Sequence, residues 1–130
     1  GNDARQLLEL DPKNAEAYYI LGNICSIKND FAGSVPFYDQ AIACRPFYTE
    51  AYFNRAVSKG NLNRHEDAIA DFNIAIQLKA NFAEAYYGRG ISKIRTESSM
   101  KEGCADLKKA LSLGYPEAQK MVNLYCHESH

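Results

Sequence analysis

This chain of 130 residues lacks most of the signatures on which enzyme chemistry depends. It contains no CxxC pair, no HExxH motif and no glycine-rich phosphate loop, so thiolate zinc sites, zincin-type hydrolysis and nucleotide binding have no foothold. Histidine is scarce, with only His65, His127 and His130. Nucleophilic catalysis needs a base beside its nucleophile. His65 is expected in a turn between two helices and the other two sit at the C-terminus, so no enzyme activity is expected. Charge of one sign is not in excess either. Fifteen Lys and Arg against sixteen Asp and Glu leave a formal net charge of −1. Both signs are interspersed, and without a basic stripe nucleic acid is not an expected partner. No apolar run approaches the ~20 residues that cross a bilayer. The chain opens on Gly1 without a methionine and shows no secretory leader, so it reads as a soluble fragment trimmed from a longer protein. The cytoplasm is the favoured setting, with the compartment otherwise open.

Cysteine is present but unpatterned. Cys25, Cys44, Cys104 and Cys126 all fall within expected helices. They read as small buried thiols at helix–helix contacts, with disulfides left open. The tail Cys126-His127-Glu128-Ser129-His130 gathers metal-capable donors. Without a fourth ordered ligand it reads as a frayed terminus, and no metal or cofactor is expected.

What the sequence does have is a phrase that returns. AEAYYILGN begins at Ala15, TEAYFNRAV at Thr49 and AEAYYGRGI at Ala83, each 34 residues after the last. Each block splits into two amphipathic helical patterns with apolar and small residues at three- and four-residue steps. In the first halves, Gly22, Ala56 and Gly90 let a neighbouring helix approach closely. In the second halves, Tyr38, Phe72 and Leu107 can fill the space so made. Polar breaks such as Lys28-Asn29-Asp30 separate the halves, and Ser99 with Glu102 has capping-box spacing. Pro36 falls about a turn inside a helical pattern, so that helix is expected to start late or bend.

This pattern resembles the tetratricopeptide repeat (TPR) family over essentially the whole chain. Tyrosine stands where the family favours tryptophan, at Tyr18, Tyr52 and Tyr86, and Ala80 replaces the proline supplied by Pro46. The resemblance implies an all-α fold, a right-handed solenoid of antiparallel helix hairpins. As one domain it divides into residues 1–14 (second helix of a truncated preceding repeat), 15–48, 49–82 and 83–115 (three repeats), and 116–130 (capping helix and tail).

Arginine stands at Arg55 and Arg89 where the first block has Leu21. An arginine in a helix seam costs desolvation unless paired. The second helices carry Phe37 opposite Leu21, but Asp71 and Asp106 opposite the two arginines. Structural ion pairs Arg55–Asp71 and Arg89–Asp106 are therefore expected.

The resemblance also implies a concave groove, lined by the first helices, that takes a peptide or helix of a partner protein. Its family positions fall here on Tyr19, Phe53 and Tyr87, on Asn23, Val57 and Ile91, on Glu16, Glu50 and Glu84, and on Ile20, Asn54 and Gly88. Such a groove should prefer apolar or aromatic side chains, with basic residues facing the glutamates. Glu16, Glu50 and Glu84 also suit the first turn of a helix, where an acid is favoured by the dipole. The family's carboxylate-clamp subtype would use Asn23 and Asn54. Its basic positions hold Tyr19, Glu84 and Gly88, which removes the charge a carboxylate needs. The alternative function is structural: a spacer or self-association element of a larger TPR protein.

Overall fold

A computed structural model describes residues 14–96 and 99–126. The expected N-terminal helix over residues 2–10 and the tail donors His127 and His130 lie outside the described residues. Among those described are seven helices and no strand: α1 Ala15–Ile27, α2 Phe31–Cys44, α3 Thr49–Asn61, α4 His65–Leu78, α5 Ala83–Thr96, α6 Met100–Ser112 and α7 Ala118–Tyr125. Pairs α1–α2, α3–α4 and α5–α6 pack most intimately as hairpins, α2–α3 and α4–α5 join successive hairpins, and α7 lies on α6. This is an all-α helical-repeat superhelix. No described helix is long and apolar enough to cross a membrane.

Two kinds of connection alternate. Within the first two hairpins the turn passes through Asn29 and Asn63, both at φ 62°. Asparagine tolerates this left-handed conformation better than most side chains. Each turn closes with a backbone bond back into the preceding helix, Asp30 N–H to the Cys25 carbonyl and Arg64 N–H to the Lys59 carbonyl, both 2.8 Å. Such bonds satisfy carbonyls left over at a helix end. Between hairpins, Tyr48 and Phe82 are buried and their carbonyls accept the first bonds of α3 and α5.

Helix starts follow local chemistry. Asn14 Oδ1 accepts from Ala17 N–H at 3.1 Å, Asp30 Oδ1 from Gly33 N–H at 2.9 Å, and Ser99 Oγ from Glu102 N–H at 3.1 Å. The Asp30 cap corrects the expectation of a late start for α2, which begins five residues before Pro36. Pro36 is exposed, and as the sixth residue of α2 it removes a single intrahelical donor, the one that would have bonded the Ala32 carbonyl. His65 likewise is not in a turn but is the first residue of α4.

Small residues set the spacing between helices. Ala17, Ala51 and Ala85 are fully buried at one repeat position, and Ala41, Ala75 and Ala110 at another. A methyl group added to Gly22 would stand 2.5 Å from the Tyr38 ring, and one added to Gly90 would stand 2.8 Å from the Gly103 carbonyl. These glycines are required by close approach.

The cysteine reading needs a correction. Cys104 and Cys126 are joined in a disulfide, with Cα atoms 5.6 Å apart. Cys126 lies just past the end of α7, where the chain has folded back along α6. Cys25 and Cys44 are free and half-buried.

Candidate partner-binding groove

The arginines are held on several sides. Arg55 Nε donates to Asp71 Oδ2 at 2.8 Å and Nη2 to Asp71 Oδ1 at 2.7 Å, while Nη1 reaches Asp39 of the preceding hairpin at 2.8 Å. One repeat on, Arg89 makes the same fork to Asp106 at 2.9 and 2.8 Å and reaches Asn73 at 2.9 Å. Lys59 and Lys93 complete the sites, 3.0 Å from Asp71 and 3.2 Å from Asp106. Burial works against the charge on Arg55, but the hydrogen bonds and field of Asp71, then Asp39, outweigh it and raise its pKa. For Arg89 the hydrogen bonding to Asp106 comes first, outweighs burial, and raises the pKa likewise. The guanidinium groups also stand over Tyr52 and Tyr86, 5.4 and 5.2 Å from the ring centroids. These side chains are consumed within the fold.

A concave groove of about 530 Å³ opens between α3, α5 and the C-terminal segment. It brings together six of the sequence-derived groove residues, Phe53, Val57, Glu84, Tyr87, Gly88 and Ile91. A methyl group added to Gly88 would meet the Phe72 ring at 2.3 Å, so this position serves packing.

Tyr19, Asn23 and Asn54 lie elsewhere, in a polar network between the first two hairpins. Asn54 Nδ2 donates to Tyr19 Oη at 2.8 Å and to Asn23 Oδ1 at 3.1 Å, and the Tyr38 hydroxyl donates to Asn23 Oδ1 at 2.6 Å. Ser34 donates to Ser58 at 2.7 Å, and Ser26 bridges Ser58 and Tyr38 at 3.3 and 3.2 Å. Burial pushes the Tyr38 phenol up to about 12 despite its bond to Ser26. Glu16 and Glu50 are exposed first-turn acids on α1 and α3, outside the groove.

The aromatic row Tyr19, Phe53 and Tyr87 has a second row behind it. Tyr19 packs on Tyr48, Phe53 on Phe82 and Tyr87 on Tyr115, with ring centroids 4.9, 4.8 and 5.0 Å apart. All three first-row rings are half-buried, so each presents only part of its surface outward. Tyr48, Phe82 and Tyr115 were missed as site-forming residues. Their signal is in the sequence: an aromatic stands two residues before the EA dipeptides that begin at Glu50, Glu84 and Glu117, at spacings of 34 and 33. Tyr115 and Met121 of the C-terminal segment form one wall of the groove, and Arg95 and His65 also border it. His65 Nδ1 is buried without a hydrogen-bond partner. No group of three or more His, Cys, Asp or Glu among the described residues could hold a metal ion.

The tetratricopeptide repeat model matches residues 4–34 and 37–70, half of the chain. Among curated proteins, FlbA of Caulobacter vibrioides is 33% identical over 70 residues, covering 54% of this chain and 12% of its own. An uncharacterized protein of Methanocaldococcus jannaschii is 38% identical over 56 residues, covering 43% and 65%. The chain thus spans less than two thirds of either relative. Among solved structures, MamA superposes with a TM-score of 0.78 at 27% identity, covering 89% of this chain and 67% of its own. The first TPR domain of Spaghetti (RPAP3), bound to the HSP90 peptide SRMEEVD, gives 0.82 at 22% identity, covering 89% and 93%. With the repeat period, the stacked hairpins and the family match in agreement, the chain belongs to the tetratricopeptide repeat family.

Proposed function

We propose that this chain is a protein-interaction module that holds a peptide or helix of a partner protein in the groove between α3, α5 and the C-terminal segment. One observation carries the reading. The repeat core is closed by fully buried alanines, yet the groove leaves Val57 37% exposed beside half-buried Phe53, Tyr87 and Ile91. Apolar and aromatic surface held in a concavity is where binding energy concentrates. A peptide-bound TPR structure with the same fold lends general support.

The carboxylate-clamp variant gains no support. Asn23 and Asn54 bond each other and two tyrosines, and no lysine or arginine stands at the clamp's basic positions. An acidic tail would meet Glu84 in the groove instead.

Selection of a random dodecapeptide display library on the purified chain tests the reading. Val57→Asp and Tyr87→Ala should each abolish the enrichment obtained with the unaltered chain. Enrichment that persists unchanged in both variants would overturn it.

The alternative, a spacer or self-association element, draws on Leu124 and Tyr125, 55% and 41% exposed at the end of α7. Sedimentation at rising concentration distinguishes it. Under this alternative the chain associates, and Leu124→Ser with Tyr125→Ser returns it to a monomer.

A further inference from the structure

The charges bordering the groove are arranged with a polarity. Helix α5 runs along it with Glu84 in its first turn and Arg95 in its last. Tyr87 and Ile91 lie between them on the same wall. Eleven residues at 1.5 Å each put their backbone positions about 16 Å apart along the helix. Both are exposed, and among the described residues neither forms a hydrogen bond or ion pair. That sets them apart from Arg55, Lys59, Arg89 and Lys93, which are all bound to Asp71 or Asp106.

The two ends differ in their surroundings as well. The field of Glu84 reaches Tyr115, whose phenol is held above its ordinary pKa first by burial, then by Glu117, Tyr87 and Glu84. At the other end, Thr96 shares a smaller concavity with Asn63, Arg64, His65, Glu66 and Asp67. Arg64 and Asp67 pair at 2.9 Å and largely cancel, while Glu66 lines only that smaller concavity and not the groove. The groove therefore offers an acid, an apolar and aromatic middle, and a base.

Building on the groove reading above, we propose that the occupant is an extended peptide segment with one basic and one acidic side chain about four or six residues apart, flanking an aromatic or large aliphatic anchor at an even spacing from each. An extended chain rises about 3.3 Å per residue and alternates its side chains between two faces, so four or six residues, about 13 or 20 Å, bracket the span from Glu84 to Arg95 with both charges facing the groove. The basic side chain sits by Glu84 and Tyr115, the anchor by Tyr87 and Ile91, and the acidic one by Arg95. Charges at a rim add modest affinity but discriminate strongly against like charge.

Because such a peptide can run in either chain direction, reversing its sequence is not diagnostic; changing one end of the groove is. The same dodecapeptide library is selected on the unaltered chain, on Glu84→Lys and on Arg95→Glu. The unaltered chain should enrich one base and one acid around the anchor, Glu84→Lys two acids, and Arg95→Glu two bases. In fluorescence anisotropy, the peptide enriched by the unaltered chain should bind each variant roughly tenfold more weakly. The same consensus from all three proteins, lost only with Tyr87→Ala, would overturn the polarity and leave the groove reading standing. Enrichment indifferent to Tyr87→Ala and Val57→Asp would overturn both.

Discussion

Arg55 and Asp71 share two parallel hydrogen bonds, 2.8 and 2.7 Å long, across the seam between α3 and α4. The Asp71 side chain is 4% exposed, and the two cations it serves, Arg55 and Lys59, are 16% and 14% exposed. Removing the acid leaves two poorly solvated positive charges side by side. Breaking a buried pair from one side costs about 3–5 kcal/mol, because the orphaned charge stays desolvated.

Asp71→Ala should therefore destabilise the chain by about 3 kcal/mol in urea denaturation. Asp39→Ala, at the half-exposed prong of the same arginine, should cost less than about 1 kcal/mol. Arg55→Leu combined with Asp71→Phe copies the Leu21 and Phe37 of the first repeat and should recover most of the loss. An Asp71→Ala effect below about 0.5 kcal/mol would show that the seam does not depend on the pair.

Two glycines separate close approach from mere helix weakening. Gly88 lies within α5, and a methyl group there would stand 2.3 Å from the Phe72 ring, which is 2% exposed. Gly88→Ala should cost about 1–3 kcal/mol, since the ring has to move within a packed core. Gly60, the penultimate residue of α3, has only Ser92 Oγ near a methyl group added there, at 4.0 Å. Gly60→Ala should stabilise by up to about 1 kcal/mol, because alanine loses less backbone entropy on folding. Thermal midpoints that move the same way for both would contradict the packing account.

The hairpin array was legible because a 34-residue period repeats small and aromatic positions together, and only stacked helix pairs use both at once. Comparing repeats also names Asp71 and Asp106 as the acids opposite the arginines, since Phe37 stands opposite Leu21. It does not name Asp39 and Asn73, which reach the arginines from the hairpin before. That contact depends on how hairpins stack, and nothing local encodes it. The groove was legible only in part. Tyr19 and Tyr87 are alike in sequence, but Tyr19 is hydrogen-bonded by Asn54 of the next repeat, whereas Tyr87 packs on Tyr115 of the C-terminal segment. The disulfide left no trace, because Cys104 and Cys126 become neighbours only when α7 folds back on α6.

The Tyr38 hydroxyl ties α2 to Asn23 and Ser26 of α1 while its ring is fully buried. Burial raises its pKa from 10.0 to about 12, so the fold favours the neutral phenol. That stabilisation is fully present below pH 10 and is lost as the pH climbs through about 12. The phenols of Tyr48 and Tyr115 are raised as well, chiefly by burial, and add to the same alkaline loss. Denaturation midpoints measured between neutral pH and about pH 12 should fall steeply for the unaltered chain and less steeply for Tyr38→Phe. Tyr38→Phe should also be less stable at neutral pH by about 1 kcal/mol, for the lost hydrogen bonds. Parallel curves for the two proteins would rule out Tyr38 as the main alkaline trigger.

Helix α7 has eight residues and buries only Ala118 fully, yet Tyr115 and Met121 of this segment wall the groove. Packing alone gives so short a helix little hold. The Cys104–Cys126 bond closes a loop with a sequence separation of 22 and pins the far end of α7 against α6. Closing a loop of that size contributes about 3 kcal/mol in the chain-entropy account. Treatment with a dithiol reductant, or Cys126→Ser, should therefore raise amide hydrogen exchange across residues 118–126 while α1 to α4 keep their protection. Peptides selected on the oxidised chain should bind the reduced chain more weakly, because one groove wall is no longer fixed. Disulfides persist in oxidising compartments and are rare in the cytosol. The cytoplasmic setting favoured from the sequence is thus the one in which this wall would loosen. Exchange across residues 118–126 that is indifferent to reduction would mean that contacts with α6 suffice to hold the helix.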